Sequence, residues 1–388
     1  MSSDETRIIR AGQVSGPLAR TVGPPIQKGS TVLMPNAASL YADDGQVTYG
    51  RNGLAAQDAL REALAATEGA VGVSLYPSGL AAITGTLLAV LKAGDEVLVT
   101  DTAYKPTRRF CDKVLKRYGV GVRYYDPAIS PEALLKLAAA NTRLILMESP
   151  GSLTLEMQDV PGIARLARER GILTAIDNTW AAGFLFRPLD HGVDFSIQAL
   201  TKYVCGHSDV LMGSTAARDP ERVRQLNDGV LHLGWSVAAE DAYQILRGLK
   251  TLPTRLARHG ESGLKVAAWL REQPDVTSIL HPALPGCAGH EIWKRDFKGA
   301  PGLFSFTVKP RAKGASDAFL DALSLFGLGF SWGGFESLAL GCEPQLKDRT
   351  HRKDYGGTVM RLHIGLEDPD DLIADLRKGL DAYRAFPA

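Results

Sequence analysis

Short apolar runs alternate with helical stretches through the first two thirds of the chain, and this alternation restricts the possible folds more than any other feature. The runs are nearly continuous in apolar residues, which is typical of strands buried on both faces. The candidate strands are Val71–Tyr76, Glu96–Thr100, Gly121–Tyr125, Arg143–Met147, Leu173–Ile176 and Phe195–Gln198, and the candidate helices are Gln57–Glu68, Leu80–Leu91, Pro106–Tyr118, Pro131–Ala139 and Pro161–Arg170. This order predicts an α/β fold with a mostly parallel central sheet. Ligands of such sheets bind at the carboxyl ends of the strands.

Two segments of different character flank the alternating region, residues 53–248. Residues 1–52 are rich in glycine, proline, serine and asparagine and lack sustained periodicity, so they predict an extended N-terminal arm that packs on a neighbouring subunit. Residues 249–388 predict a smaller α+β C-terminal domain that begins with a long basic helix near 251–272. Its candidate strands are Leu303–Val308 and Met360–Ile364, and its candidate helices are Ala315–Leu325 and Pro369–Tyr383.

Composition excludes several classes of partner. The 388 residues carry a net charge of +1, which provides no electrostatic reason to expect nucleic acid or an anionic membrane as a partner. The N-terminus lacks the apolar core of a signal peptide, so a cytoplasmic protein is expected. The four cysteines form no CxxC pair and have no histidine at a zinc-ligand spacing, so no metal site is expected.

An acid and an amine follow two successive candidate strands. Asp177 ends the run Leu173–Ile176, and Lys202 follows the run Phe195–Gln198. Taken alone, Asp177 is better explained as the cap of a turn, and Lys202 as the first exposed residue of a loop. Together they place a carboxylate and an amine at one sheet edge. Pyridoxal 5'-phosphate (PLP) requires this pair, with lysine on its aldehyde and a carboxylate on its pyridinium nitrogen.

The remaining candidates are weaker when each is taken alone. The turn at Ser78-Gly79 opens a helix, where backbone N–H groups bind phosphate, although taken alone it is better explained as an ordinary turn with Ser78 as the N-cap. Tyr49 and Arg51 are either phosphate ligands or part of a solvated turn, and Tyr104 either stacks on a ring or is a half-buried aromatic residue. Arg361 lies in an apolar strand and therefore requires an anionic partner, which is either a structural acid or a substrate carboxylate. The chain has no G-x-G-x-x-G fingerprint that opens a helix, which disfavours a nicotinamide enzyme.

These motifs, in this order, resemble the trans-sulfuration family of PLP enzymes over essentially the full chain. The most specific match is Thr201-Lys202-Tyr203 followed by Gly206-His207-Ser208-Asp209. The resemblance also rests on the motifs Tyr49-Gly50-Arg51, Ser78-Gly79, Asp177-Asn178-Thr179-Trp180 and Arg361-Leu362 with Gly365-Leu366-Glu367-Asp368.

The resemblance implies a fold-type I, aspartate-aminotransferase-like enzyme that binds PLP. It implies that Lys202 holds the cofactor and moves the α-proton, and that Tyr104 stacks on the ring and assists proton transfer. The other implied cofactor ligands are Asp177, Gly79, Leu80, Thr201, Tyr49 and Arg51, and the implied substrate-binding residues are Arg361, Ser331, Trp332 and Tyr49. It further implies a homotetramer in which Tyr49 and Arg51 reach the phosphate of a neighbouring subunit.

Within the family, the segment Phe330–Ser337 resembles the β-lyase branch. The γ-lyases and γ-synthases typically carry a small or aliphatic residue where Trp332 stands. The resemblance therefore implies a carbon–sulfur β-lyase that acts on L-cystathionine in methionine biosynthesis, with a sister activity (γ-elimination, γ-replacement or desulfhydration of cysteine or cystine) as the alternative. A non-catalytic protein that keeps the fold is disfavoured by intact Lys202, Asp177 and Arg361. Ala199 departs from the many members that have a serine at that position as an extra phosphate contact.

Overall fold

A computed structural model describes residues 3–12, 21–42 and 45–387 of the chain, and the larger of its two sheets is mostly parallel. The strands of this sheet are β1 (Gly72–Tyr76), β2 (Glu96–Thr100), β3 (Gly121–Tyr125), β4 (Thr142–Glu148), β5 (Leu173–Asp177), β6 (Phe195–Ala199) and β7 (Gly213–Ala217). Their order is β1-β7-β6-β5-β4-β2-β3. Strands β2 to β6 run parallel to one another, and β7 is antiparallel to both β6 and β1. The predicted α/β fold is therefore confirmed.

Helices cover both faces of this sheet. They are α1 (Asp4–Arg10), α2 (Ala55–Glu68), α3 (Gly79–Val90), α4 (Lys105–Phe110), α5 (Pro131–Leu137), α6 (Val160–Glu169), α7 (Pro220–His232) and α8 (Ala239–Leu249). Because alternate side chains of a strand point to opposite faces, β2 contributes to two separate cores. Val97 and Val99 pack in one core with Ile83 of α3, and Leu98 packs in the other with Leu60 of α2. This double burial explains why successive residues of β2 are apolar.

Strand β7 is absent from the sequence prediction. Its residues, Gly213–Ala217, are small and include a single β-branched side chain, so the composition does not indicate a strand. All five are nevertheless buried, because β7 lies between β1 and β6. The predicted helix Pro106–Tyr118 also differs, since α4 ends at Phe110 and is followed by a π-helical turn (Cys111–Leu115) and a 3₁₀ turn (Lys116–Tyr118).

The C-terminal part of the chain builds a second, largely antiparallel sheet. Its strands are β8 (Val276–Leu280), β9 (Leu303–Val308), β10 (Gly327–Leu328), β11 (Leu338–Gly341) and β12 (Thr358–His363), in the order β10-β11-β12-β9-β8, and the helices of this part are α9 (Leu252–Arg271), α10 (His290–Asp296), α11 (Ala315–Asp321), α12 (Glu343–Leu346) and α13 (Pro369–Arg384). Phe304 and Phe306 of β9 pack with Leu376 of α13 in the core beneath it. Asp368 caps α13 by accepting a hydrogen bond from the Asp370 N–H.

The N-terminal segment is less extended than predicted. Helix α1 is capped by Ser3 and buries Ile8, which is 1% exposed, against the core that includes α2. Lys298 also forms a 2.8 Å ion pair with Asp4. Two adjacent apolar residues, Ile8 and Ile9, show no helical periodicity in a seven-residue segment, so the sequence did not reveal this helix. Other parts of the predicted arm (residues 1–2, 13–20 and 43–44) lie outside the described residues.

None of the described helices is long and apolar enough to cross a membrane.

Candidate active site

The carboxyl ends of the parallel strands open into a cavity of about 970 Å³. Among the residues that line it are Gly79 and Leu80 after β1, Tyr104 after β2, Glu148 at the end of β4, Asp177 at the end of β5, Thr201 and Lys202 after β6, and Trp332 and Arg361 from the second sheet and its loops. The alternation of strands and helices predicts this convergence, because parallel strands end at the same sheet edge. The structure therefore brings together most of the side chains that the sequence indicated.

Lys202 presents a largely desolvated amine to the cavity. Its Nζ donates a 2.8 Å hydrogen bond to Ser331 Oγ and lies 5.4 Å from the centroid of the Trp332 ring. Burial, followed by the positive charge of Arg361, lowers the pKa of Lys202 from 10.5 to about 8, although Asp177 opposes this effect. A lowered pKa keeps a larger fraction of the amine neutral at physiological pH, as a nucleophile or base requires.

Asp177 lies at the end of β5 with one carboxylate oxygen left available. The Thr179 N–H and Thr179 Oγ1 both donate to Asp177 Oδ1, at 3.1 and 2.5 Å. In the described part of the chain, no hydrogen bond reaches Oδ2. Burial raises the pKa of Asp177, and the bonds from Thr179 and the charge of Lys202 act in the opposite direction. A cationic N–H group in the cavity would stabilise the ionised form of this desolvated carboxylate by donating a hydrogen bond to it.

Glu148 is a site residue that the sequence reasoning missed. It ends β4 directly beside Asp177 in the sheet register, and its Oε2 accepts a 2.7 Å hydrogen bond from the Tyr104 N–H. Burial and then the charge of Asp177 raise the pKa of Glu148 well above its usual range. The signal that identified Asp177, an acid at the carboxyl end of an apolar strand, also applies to Glu148.

The turn between β1 and α3 forms a narrow backbone cradle. Ser78 caps α3 by accepting a 3.1 Å hydrogen bond from the Ala81 N–H, as the simpler interpretation of Ser78 predicts. The N–H groups of Gly79 and Leu80 lie in the first helical turn, where no helix carbonyl can accept from them. A Cβ at Gly79 would lie 2.3 Å from the Ala199 Cβ, so the turn sits directly on β6. Two free N–H groups at a helix N-terminus suit a phosphate.

The variant Gly79→Ala is expected to bind PLP about 5- to 150-fold more weakly than the wild type. The added methyl group overpacks the contact with Ala199, which typically costs about 1–3 kcal/mol, and 1.4 kcal/mol corresponds to a factor of ten. Titration of the cofactor-free protein with PLP measures the change. Gly121→Ala is the matched control, because its new Cβ would meet no atom closer than 3.5 Å. Unchanged affinity in Gly79→Ala would contradict a phosphate cradle at this turn.

Three of the sequence-predicted ligands direct no unbonded side-chain group into the cavity of their own chain. Thr201 lines the cavity, but its hydroxyl exchanges hydrogen bonds with the backbone of Met212, donating at 3.2 Å and accepting at 3.0 Å. Tyr49 and Arg51 are exposed and do not line the cavity of their own chain. The guanidinium of Arg51 instead lies 5.3 Å from the centroid of the Tyr49 ring.

Arg361 is buried in β12 without a carboxylate partner. Its side chain is 7% exposed and donates to the carbonyl oxygens of Ser331 (3.1 Å) and Phe330 (3.4 Å). Within the described residues, no aspartate or glutamate forms an ion pair with it, so the structural acid suggested as one alternative by the sequence is absent there. A buried guanidinium held only by carbonyl oxygens retains strong affinity for an anion.

His363 supports the loop that carries Ser331 and Trp332. Its Nε2 lies 3.1 Å from the Gly333 nitrogen and 3.0 Å from the Gly334 carbonyl oxygen, and its Nδ1 lies 3.4 Å from the Tyr203 hydroxyl. Burial lowers the pKa of His363 to about 3, so the ring stays neutral and able to accept. The sequence contains no local signal for this role, because Gly333 and His363 are 30 residues apart.

The donor set of the cavity fits PLP. The Lys202 amine, whose pKa is lowered, suits the aldehyde of PLP, and the available carboxylate oxygen of Asp177 suits its ring nitrogen. The N–H groups of Gly79 and Leu80 suit its phosphate. Tyr104, whose pKa is raised by burial and by Asp177 and Glu148, provides an aromatic ring on the same cavity wall.

Comparisons with known proteins agree with this chemistry. The sequence profile of the family described as "Cys/Met metabolism PLP-dependent enzyme" matches residues 5–381. A Rhizobium johnstonii protein is 51% identical over 94% of this chain and 92% of its own length, and the cystathionine β-lyase of Escherichia coli K12 is 43% identical over 97% of each chain. A solved structure of cystathionine γ-synthase from Xanthomonas oryzae pv. oryzae, in complex with aminoacrylate and cysteine, has 32% sequence identity and a TM-score of 0.90 and covers 99% of each chain.

Proposed function

This chain belongs to the Cys/Met metabolism family of PLP-dependent enzymes, and on that premise we propose that it is a carbon–sulfur β-lyase that cleaves L-cystathionine. The products are L-homocysteine, pyruvate and ammonia, with one water consumed. The single observation that carries the proposal is that one cavity holds the desolvated amine of Lys202, a carboxylate oxygen of Asp177 and the guanidinium of Arg361, the last two without a charged partner bonded to them among the described residues. An α-amino acid bound to PLP needs these three groups.

The residues of the chain act on the substrate in a definite order. When bound, PLP supplies the electron sink that stabilises negative charge at the substrate α-carbon. Arg361 binds the α-carboxylate and thereby orients the α-hydrogen towards Lys202, whose Nζ removes the proton. Ser331 and Trp332 hold the Lys202 amine in place. Asp177 Oδ2 keeps a proton on the pyridine nitrogen.

We assign the proton for the leaving sulfur to Tyr104. Burial and the nearby charges of Asp177 and Glu148 raise the pKa of its hydroxyl above the usual 10.0, so the phenol keeps its proton at neutral pH. A protonated phenol can transfer that proton to the developing thiolate as the carbon–sulfur bond breaks. The thiol of homocysteine then leaves as a neutral group.

Trp332 supports the β-lyase branch over its sister activities. Its ring packs against Tyr203, with ring centroids 5.4 Å apart, and stands over the Lys202 amine. A γ-elimination requires the base to remove a proton from the β-carbon as well as from the α-carbon. The Trp332 ring lies next to the Lys202 amine and restricts the space for this second proton transfer. The relatives named cystathionine β-lyase, including the Escherichia coli enzyme at 43% identity, support the same branch.

We further propose a division of the chain into three parts and an assembly of four subunits. Residues 1–52 serve as an arm between subunits of a cytoplasmic homotetramer, residues 53–248 bind PLP, and residues 249–388 form the C-terminal domain. Tyr49 and Arg51 are exposed and lie outside the cavity of their own chain, which supports their reaching the phosphate, and for Tyr49 also the substrate, of a neighbouring subunit.

Product analysis tests the proposed reaction. Purified protein reconstituted with PLP is expected to release pyruvate and homocysteine from L-cystathionine in equal amounts, because β-elimination cleaves the bond next to the three-carbon unit. The two products are measured in the same reaction, and PLP alone without protein is the control. Release of 2-oxobutyrate and cysteine instead would assign the chain to the γ-lyase branch, and absence of any keto acid would contradict a lyase.

A further inference from the structure

Helix α4 carries three cationic side chains, and two of them are paired within the protein. Lys105 forms a 2.7 Å ion pair with Asp348. Arg108 forms a 2.6 Å ion pair with Asp101 and stacks its guanidinium 3.8 Å from the centroid of the Tyr124 ring. These two charges are therefore already balanced by groups of the same chain.

The third cation, Arg109, faces the active-site cavity without such a partner. It is exposed and lines the cavity that also contains Lys202 and Arg361. Within residues 3–12, 21–42 and 45–387, no hydrogen bond or ion pair joins its guanidinium to another residue. Arg361 lies beside Lys202 and Ser331, and Arg109 is a second guanidinium on the lining of the same cavity.

Glu343 is an acid on the same cavity lining that is likewise left without a partner among the described residues. It is the first residue of α12, is half-buried, and also borders a neighbouring cavity of about 370 Å³. Among the described residues, Arg109 and Glu343 thus add an unpaired guanidinium and an unpaired carboxylate to the groups assigned to PLP and to the α-carboxylate, and the exposed Asp317 also lines the cavity without a partner. An amino-acid group is a zwitterion, and such a pair of opposite charges suits its carboxylate and ammonium.

We propose that Arg109 and Glu343 bind the second amino-acid group of the substrate, the one on the leaving sulfur. This assignment rests on the proposed β-lyase function and specifies its substrate class. Arg109 binds the distal carboxylate, and Glu343 binds the distal ammonium. The enzyme therefore selects thioethers with an amino-acid group at both ends over S-alkyl cysteines, while Arg361 binds the carboxylate next to the reacting carbon.

Three substrates distinguish the contribution of the Arg109 contact from that of the Glu343 contact. L-Cystathionine carries both distal groups, S-(3-carboxypropyl)-L-cysteine carries only the distal carboxylate, and S-propyl-L-cysteine carries neither. All three release pyruvate by the same β-elimination, so kcat/KM from pyruvate formation is directly comparable among them. Because hydrogen bonds to charged groups contribute about 1.5–3 kcal/mol, each lost contact is expected to change a ratio of kcat/KM values by roughly 10- to 100-fold.

The variants Arg109→Gln and Glu343→Gln are expected to change different ratios of kcat/KM between these substrates. Arg109→Gln lowers kcat/KM for both carboxylate-bearing substrates relative to S-propyl-L-cysteine. Glu343→Gln lowers it only for cystathionine relative to the carboxypropyl analogue. Arg109→Lys restores part of the first ratio because it keeps the charge. The matched control Lys113→Gln removes an exposed positive charge four residues further along the chain, outside the cavity, and should keep both ratios.

The outcomes distinguish the two levels of the proposal. Pyruvate from all three substrates, with both ratios unchanged in Arg109→Gln and Glu343→Gln, would overturn the distal-group assignment and leave the β-lyase intact. Absence of pyruvate from every substrate with the wild-type protein would overturn the β-lyase function and the assignment that rests on it. Thermal unfolding of each PLP-loaded variant, compared with Lys113→Gln, detects a general structural defect.

Discussion

The variant Lys202→Ala is expected to lose at least about 10³-fold in kcat/KM for L-cystathionine while keeping its fold. The loss follows because Lys202 Nζ is the amine that holds the cofactor and the base that removes the α-proton, and positioned proton transfer alone contributes about 10²–10⁴-fold. Alanine leaves Ser331 and Trp332 in place, so the pocket itself should persist. Steady-state pyruvate formation measures the activity.

A second readout does not depend on activity. Borohydride treatment in the presence of PLP should attach the cofactor covalently to the wild-type chain at Lys202, and mass spectrometry should find no such attachment in Lys202→Ala. Lys294→Ala is the matched control, because Lys294 is exposed on α10 and lies outside the cavity. Wild-type turnover in Lys202→Ala, or attachment at another lysine, would refute the role of this residue.

The variant Asp177→Asn is expected to lose roughly 10²–10³-fold in kcat, the cost of removing one preorganised electrostatic contact from an active site. Asparagine retains an oxygen that can accept both hydrogen bonds from Thr179. It replaces Oδ2 with an amide group that cannot keep a proton on the pyridine nitrogen. The expected pattern is a large fall in kcat with the local geometry preserved, measured by pyruvate formation at saturating PLP.

The effect of Asp177→Asn on the thermal stability of the cofactor-free protein has a predictable direction. Burial raises the pKa of Asp177 in the folded state, so the folded protein binds its proton more tightly than the unfolded chain does. Ionisation of this carboxyl therefore costs stability, and the cost appears as the pH rises through the raised pKa. At neutral pH, thermal unfolding of the variant should occur at the wild-type temperature or above it.

Asp194→Asn provides the matched control for Asp177→Asn. Asp194 also accepts two hydrogen bonds from a threonine, at 2.8 Å from the Thr174 N–H and 3.0 Å from Thr174 Oγ1, but it lies before β6 and outside the cavity. Its replacement should leave kcat near the wild-type value. Similar losses of kcat in both variants would indicate a structural effect at Asp177.

Local sequence was sufficient to predict the parts of the fold in which each residue carries its own signal. Strands β2, β4, β5 and β6 are nearly continuous apolar runs because both faces are buried, whereas the edge strand β3 is partly exposed. The predicted bounds of all five mutually parallel strands differ from the observed ones by at most one residue at each end. Strand β7 was missed because its small side chains are typical of no secondary structure, and only its position between β1 and β6 makes it a strand.

The same distinction applies to the candidate site. The sequence by itself indicated Asp177 and Lys202, because an acid and an amine directly after apolar strands must meet at the carboxyl edge of a parallel sheet. Only the tertiary structure showed that Arg361 has no acid partner among the described residues and that His363 supports the loop of Ser331. It alone showed that Arg109 lines the cavity without an ion-pair partner in the part of the chain that the structure describes, while Lys105 and Arg108 each pair with an aspartate. Whether a charged side chain forms an ion pair depends on groups that are far apart in the chain. The desolvation that shifts a pKa depends on all the atoms packed around the titratable group. Local sequence therefore encodes neither the ion pairs nor the pKa shifts of this site.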